Sequence, residues 1–141
     1  MARAPSRLRQ RLSRADVRPR SRNRPEDIIQ RAVFEHLAWR SAPGVFAFHP
    51  ANGGWRSHIE AAILKGLGVR AGVPDVIAVK DGETYALEIK TKDGRTSSAQ
   101  MRAIEELRAA GAHAEVAYGL DRALAVLEGW GLLRGQASIP R

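Results

Sequence analysis

"AGVPDVIAVKDGETYALEIKTKDG", residues 71–94, decides the fold of this chain. Two apolar runs, 76–79 and 85–89, flank Asp81-Gly82. An Asp-Gly pair between such runs is a strong signal for a two-residue hairpin, because both turn positions need positive φ. If the turn forms there, register follows by counting outward. Lys80 faces Glu83, Val79 faces Thr84, Ala78 faces Tyr85, Ile77 faces Ala86 and Val76 faces Leu87. The next pair is Asp75 with Glu88. Side chains alternate between the two faces of a strand. Asp75, Glu88 and Lys90 therefore share one face, and Val76, Ala78, Tyr85, Leu87 and Ile89 the other. The Lys80–Glu83 pair beside the turn is an opposite-charge match expected to favour this register.

Outward from the hairpin the chain reads as helices alternating with strands. Residues 25–41 are helical, with Ile29, Ala32, Val33 and Leu37 on one face at the 3.6-residue period and Asp27, Arg31 and Glu35 on the other. Glu26 and Gln30 extend the apolar stripe and point toward the core side. Pro25 sits where helices begin, with Asn23 as a candidate cap. "VFAFH" (45–49) reads as a short strand, "PANGG" (50–54) as a loop, and 57–68 as a short helix capped by Ser57 and stopped at Gly66 or Gly68. Beyond the hairpin, 97–111 is an amphipathic helix with a serine cap and a terminal glycine. Residues 113–118 form a strand, 121–131 a last helix and 132–141 a frayed end. Trp39 and Trp130 are expected to anchor the core, and Trp55 is a candidate for stacking on a base. The order α-β-(α)-β-β-α-β-α predicts an α/β fold, a small mixed sheet flanked by helices.

The length of 141 residues and an apolar fraction of 44% suit one globular domain. With no cysteine, a disulfide framework and a thiolate zinc site are excluded. No apolar run approaches the roughly 18 residues of a membrane span, and no signal-peptide core is evident. A cytoplasmic protein with no membrane contact is the expectation. The net charge of +8 is unevenly placed: residues 1–24 hold nine arginines against Asp16 alone, while from Pro25 onward 14 basic residues face 14 acidic ones. Such an arm reads as a nucleic-acid contact, since each guanidinium can displace a counterion from phosphate. It also reads as a solvated leader, or mimics an organelle transit peptide, which nothing else in the chain supports. The sequence thus divides into an arm (1–24), a domain (25–131) and a tail (132–141).

The charged residues inside the hairpin pose the chemical question. A lone Glu-x-Lys is an ordinary solvated strand face. Here an Asp is opposed to the Glu, a Gly-Val-Pro approach rigidifies the Asp, and apolar runs flank both. Opposed like charges cost roughly 0.2–1 kcal/mol on an exposed sheet, and more when buried. A shared proton, Lys90 or a divalent cation could offset that. Two converging carboxylates suit a hard, oxygen-seeking ion such as Mg²⁺.

At this point "GVPD…EIK" resembles the PD-(D/E)XK nuclease signature, and the chain more narrowly resembles the VRR-NUC family. The matching elements run in order: "EDIIQ", "FHPANGG" with Arg56, "LGVRAGVPD" and "LEIKTKDGRTSSAQ". They cover roughly residues 25–130; the arm lies outside. The resemblance implies a restriction-endonuclease-like α-β-β-β-α-β core, here with an extra short helix and a C-terminal helix. It implies a Mg²⁺-dependent nuclease, with Mn²⁺ able to substitute. By position, Asp75 and Glu88 match the family's metal ligands, Lys90 its catalytic lysine and Glu26 the acidic residue of the first helix. Gln30 and Gln100 match its recurring glutamines, and the Ile89 carbonyl is an extra metal-ligand candidate, as in related nucleases.

On this reading Lys90 orients or deprotonates the attacking water, or offsets charge on the phosphorane. Glu26 binds an outer water of the metal or a second ion. Gln100 steadies Lys90 or the phosphate. Gln30, His49, Asn52, Arg56 and Arg95 are nucleic-acid-binding candidates, with Gly53 and Gly54 offering open backbone to phosphates. The family also implies a structure-specific DNA endonuclease acting on Holliday junctions or flaps, in which a homodimer would cut two strands symmetrically. The competing reading is a non-catalytic nucleic-acid-binding module that relies on the arm. "GLGVRAG" has the wrong glycine spacing for a dinucleotide fingerprint and follows a helix. His36, His49, His58 and His113 lack zinc-hydrolase spacing, and no Gly-x-Ser-x-Gly elbow occurs.

Overall fold

Both residues of the Asp81-Gly82 turn take positive φ, 51° and 78°. This is the left-handed pair that a type I′ hairpin turn requires. The turn joins β2 (Val76–Lys80) to β3 (Glu83–Lys90) in a computed structural model that describes residues 24–51 and 56–135. The register is the counted one, from Lys80↔Glu83 to Val76↔Leu87. β1 (Phe46–Phe48) adds antiparallel to β2, and β4 (His113–Tyr118) adds parallel to β3, giving a four-stranded mixed sheet in the order β1-β2-β3-β4. The helices are α1 (Pro25–Arg40), α2 (His58–Gly66), α3 (Ser98–Ala109) and α4 (Leu120–Gly129). The parallel β3–β4 pair needs a crossover, and α3 supplies it.

The two faces of β3 explain the layers. Tyr85, Leu87 and Ile89 join Val76 and Ala78 in the main core, against Val33 and Leu37 of α1 and Ala123, Leu124 and Leu127 of α4. Ala86 faces the other way and packs with Ile104 of α3 and Ala114 of β4. Glu88 and Lys90 lie on this second face by alternation, yet both are buried, at 2% and 5% exposure. A charged pair at that depth is costly unless it is hydrogen-bonded and neutralised.

Four details differ from the sequence reading. The Lys80–Glu83 neighbours do not form an ion pair: Lys80 donates to the Gly131 carbonyl, while Glu83 accepts from the Tyr85 hydroxyl and pairs with His113. Trp39 is 78% exposed, because the core face of α1 runs Val33, Leu37 and Arg40, and residue 39 falls off it. Trp130 does reach the core edge, tilted against Tyr85 at 5.4 Å between ring centres. Residues 132–134 are not frayed. Leu132 and Leu133 are buried, Ser41 bridges Leu133, and Arg134 N–H donates to the Arg40 carbonyl. Finally, the cap of α1 is Arg24, with no side-chain cap bond; Asn23 lies outside the described residues.

Candidate active site

Asp75 ends the hairpin rather than extending it. Regular pairing stops at Val76↔Leu87. Asp75 does not sit across from Glu88 as a ladder partner. Its Oδ2 instead accepts the Ile89 N–H at 2.8 Å. The carboxylate thus stands in for the next strand residue and is fixed against β3 beside Glu88. The segment leading into it is fixed as well. Gly72 has φ of 79°, and a Cβ there would lie 2.5 Å from the Ala99 carbonyl carbon and 2.6 Å from Gln100 N. Only glycine allows both the left-handed backbone and that close approach to the start of α3.

Glu88 is held from two sides. Its Oε1 accepts Gln100 Nε2 at 2.7 Å and lies 3.2 Å from Lys90 Nζ. Gln100 is itself immobilised by the N-terminal box of α3: its Oε1 accepts Ser97 N–H at 2.8 Å, and its N–H donates to Ser97 Oγ at 3.1 Å. The cap dictates which end of the amide faces Glu88. Gln100 therefore steadies Glu88, where the sequence reading gave it Lys90 or the phosphate. Lys90 Nζ also lies 3.6 Å from Glu26 Oε1 in the first turn of α1. The lysine is held between two carboxylates from different elements.

Electrostatics follow from this crowding. Burial pushes the Glu88 carboxyl up to about 7, and the nearby Asp75 charge adds to that, while Lys90 opposes it. The Asp75 carboxyl is raised too, chiefly by burial, against the opposing pull of the Ile89 N–H, His49 and Lys90. Each carboxylate spends one oxygen on protein donors: Asp75 Oδ2 and Glu88 Oε1. Asp75 Oδ1 and Glu88 Oε2 accept no hydrogen bond among the described residues. Two raised carboxyls, each with a free oxygen, fit a hard divalent ion that takes one or two carboxylates and fills its remaining positions with water and phosphate. Among the described residues no three His, Cys, Asp or Glu side chains gather as a closed metal cage. Softer, fully protein-ligated sites do not match this donor set.

The other candidates divide. The ring of His49 touches the cluster: Nδ1 lies 2.6 Å from the Asp75 carbonyl, so it carries the donated proton. Ile89 contributes its N–H to Asp75, and its side chain belongs to the opposite core. Gln30, Arg56 and Arg95 make no hydrogen bond or ion pair to the cluster; Arg56 donates weakly to the Ala51 carbonyl at 3.4 Å. Asn52, Gly53, Gly54 and Trp55 lie outside the described residues, as does the arm up to Asn23. The close packing of Gly72 had no signal beyond a Gly-Val-Pro string. Arg40 carried none either. It is buried, with Nε donating to His36 and Nη1 to Glu128 and the Arg134 carbonyl, while Nη2 has no partner among the described residues.

Against this geometry, a family model for the VRR-NUC domain matches residues 20–121. The chain belongs to the VRR-NUC family. VRR-NUC is a nuclease domain, and a nuclease domain implies a nucleic-acid substrate. Among solved structures, a VRR_NUC domain protein is similar at 26% identity and a TM-score of 0.64, covering 80% of this chain and 98% of its own. A second VRR_NUC domain shares the fold at 19% identity and a TM-score of 0.52, over 74% of this chain and 96% of its own. No curated protein matches. Among the described residues no helix of this VRR-NUC chain is long and apolar enough to cross a membrane.

Proposed function

We propose that this VRR-NUC chain is a metal-dependent DNA endonuclease of the cytoplasm of a bacterial or phage-infected cell, serving repair or recombination. Its substrates would be branched DNA, Holliday junctions or flaps. The reading rests on one observation: Asp75 and Glu88 each keep one carboxylate oxygen without a hydrogen bond among the described residues, beside a buried lysine. Asp75 and Glu88 would hold Mg²⁺ or Mn²⁺, with the Ile89 carbonyl as a further ligand and Glu26 at the outer water or a second ion. When bound, the ion supplies charge to the scissile phosphate and lowers the pKa of water.

The chain's own groups do the rest. The Ile89 N–H and the Ser97–Gln100 box keep the two carboxylates aimed, so little reorganisation is needed at reaction. Lys90 brings a cation to the attacking water or to the phosphorane. Its two carboxylate neighbours, Glu88 and Glu26, keep it from swinging away. His49 braces the Asp75 backbone and, together with Gln30, Arg56 and Arg95, would contact DNA. A homodimer would cut two strands of a junction symmetrically. The exposed Ile59, Ile63 and Leu67 of α2 and the segment following it are apolar surface available for such an interface.

The test is incubation with junction, flap, linear duplex and single-stranded DNA, in Mg²⁺, Mn²⁺ or EDTA. Metal-dependent nicking of branched substrates that disappears in Asp75→Ala supports the proposal. Tight, salt-sensitive binding that is never followed by cutting would establish the non-catalytic module instead.

A further inference from the structure

α2 stands apart from the rest of the fold. None of its nine residues is buried. A helix that short is marginal in water, and this one is held by its ends. Ser57 and Glu60 form a reciprocal box at the N-terminus. At the C-terminus Gly68 takes φ of 95°, with Val69 N–H returning to the Leu64 carbonyl at 2.9 Å, a Schellman closure. The helix has two unlike sides. Ile59, Ile63 and Leu67 recur every fourth residue on one side, while Ala61, Leu64, Lys65 and Gly68 share the other.

That second side lines an open groove with Arg56, Val69 and Arg70, and no acidic residue takes part in the described lining. Arg70 is engaged by Glu106 of α3, which ties the groove wall to the body. Lys65 is exposed and makes no hydrogen bond or ion pair among the described residues. Ala71, which also lines the groove, is four residues from Asp75, at most about 14 Å of extended chain. Along one DNA strand that is about four nucleotides of axial rise.

We propose that this groove holds the sugar-phosphate backbone of the substrate strand within a few nucleotides of the scissile bond. The proposal rests on the nuclease reading for its substrate class. Arg56 and Lys65, with no acid in the described lining beside them, match successive phosphates, while Arg70 is held by Glu106 and shapes the wall. Leu64 and Val69 offer the apolar floor that a deoxyribose face can cover. No carboxylate or side-chain amide is in the described lining, and its cations are assigned to phosphates. Contacts of that kind give affinity and position without sequence preference.

Binding in EDTA tests this apart from cutting. The full chain is titrated onto a fluorescein-labelled four-way junction, and onto a labelled single strand, across about 50–200 mM KCl. Lys65→Ala should flatten the slope of log K against log salt by about one, and Lys65→Arg should restore it. Lys65→Glu should weaken binding at least about tenfold, equally for different sequences, while Mn²⁺ affinity by calorimetry stays unchanged. Wild-type slope and affinity in Lys65→Glu would overturn the proposal. So would a change in molecular mass by light scattering in that variant, which would mark the groove as a protein interface. If the chain never cuts but Lys65→Glu still loses binding, the nuclease reading fails and the groove stands. If it cuts and Lys65→Glu is silent, only the groove fails.

Discussion

At the residue scale, Glu88 carries the conflict between stability and activity. Its carboxyl is raised from 4.5 to about 7 by burial first and Asp75 second. A carboxyl whose folded value lies above its unfolded value gives stability that is complete below about pH 4.5 and is lost as pH rises through about 7. Without a divalent ion, the thermal midpoint should therefore fall between pH 5 and pH 8, and Mg²⁺ should restore it. Glu88→Gln keeps the acceptor for Gln100 and removes the charge. In EDTA at pH 8 it should melt higher than wild type, on the order of 5 °C, while losing metal uptake and cutting. Equal midpoints at pH 8 would refute the account. Gly72 makes the complementary case. Gly72→Ala must relieve both a positive φ and a 2.5 Å approach to the Ala99 backbone. We expect a loss of about 1–3 kcal/mol by chemical denaturation. Nuclease activity should fall further than stability explains, because Asp75 is displaced with the segment.

At the scale of elements, the hairpin was legible because one dipeptide fixes a turn and the turn fixes each pair as far as Val76↔Leu87. The counted Asp75–Glu88 pair failed where the Asp75 carboxylate took the Ile89 N–H instead. The Lys80↔Glu83 to Val76↔Leu87 register needed no tertiary information. Contacts between distant elements were not legible. Nothing in the 3.6-residue pattern of α1 shows that Arg40 is buried, and nothing in "GLLR" shows that Leu132 and Leu133 close the core beside it. Those depend on where α1 and α4 end in space. The start of α3 lies between these cases. A serine cap is readable, but the use of the same box to aim Gln100 at Glu88 is not. That double use makes a prediction. Ser97→Ala should cost about 1 kcal/mol through removal of the cap. Freed from the Ser97 hydroxyl, the turn should also release Glu88 and lower Mn²⁺ affinity severalfold by calorimetry. Gln100→Ala should lower it at least as much. A Ser97→Ala variant that loses stability but keeps wild-type Mn²⁺ affinity would show that the cap and the site are independent.

At the scale of the whole molecule, charge is divided between two parts. From Pro25 onward basic and acidic residues balance at 14 each, so the domain has no net attraction for a polyanion. On the proposed reading its cations would act locally, at Lys90 and around the α2 groove, where acids are absent from the described lining. The nine arginines before Pro25 carry the chain's whole net positive charge and would supply any long-range attraction. The two contributions should separate experimentally, because they differ in range and in geometry. Removing residues 1–23 takes away eight of those arginines, leaves the α1 cap Arg24 in place and takes no residue of the described core. The truncated chain should keep its thermal midpoint and its Mn²⁺ affinity. Its DNA binding should weaken on all substrates alike, with the salt slope falling by about 0.9 for each phosphate that is no longer neutralised. Cutting at saturating DNA should persist, since Asp75, Glu88 and Lys90 are untouched. Lys65→Ala in the truncated chain should lower the slope by about one more, because the groove and the arm share no residue. Truncation that leaves the salt slope unchanged would assign the arm no role in binding. Truncation that abolishes cutting at saturation would instead place the arm inside the catalytic geometry.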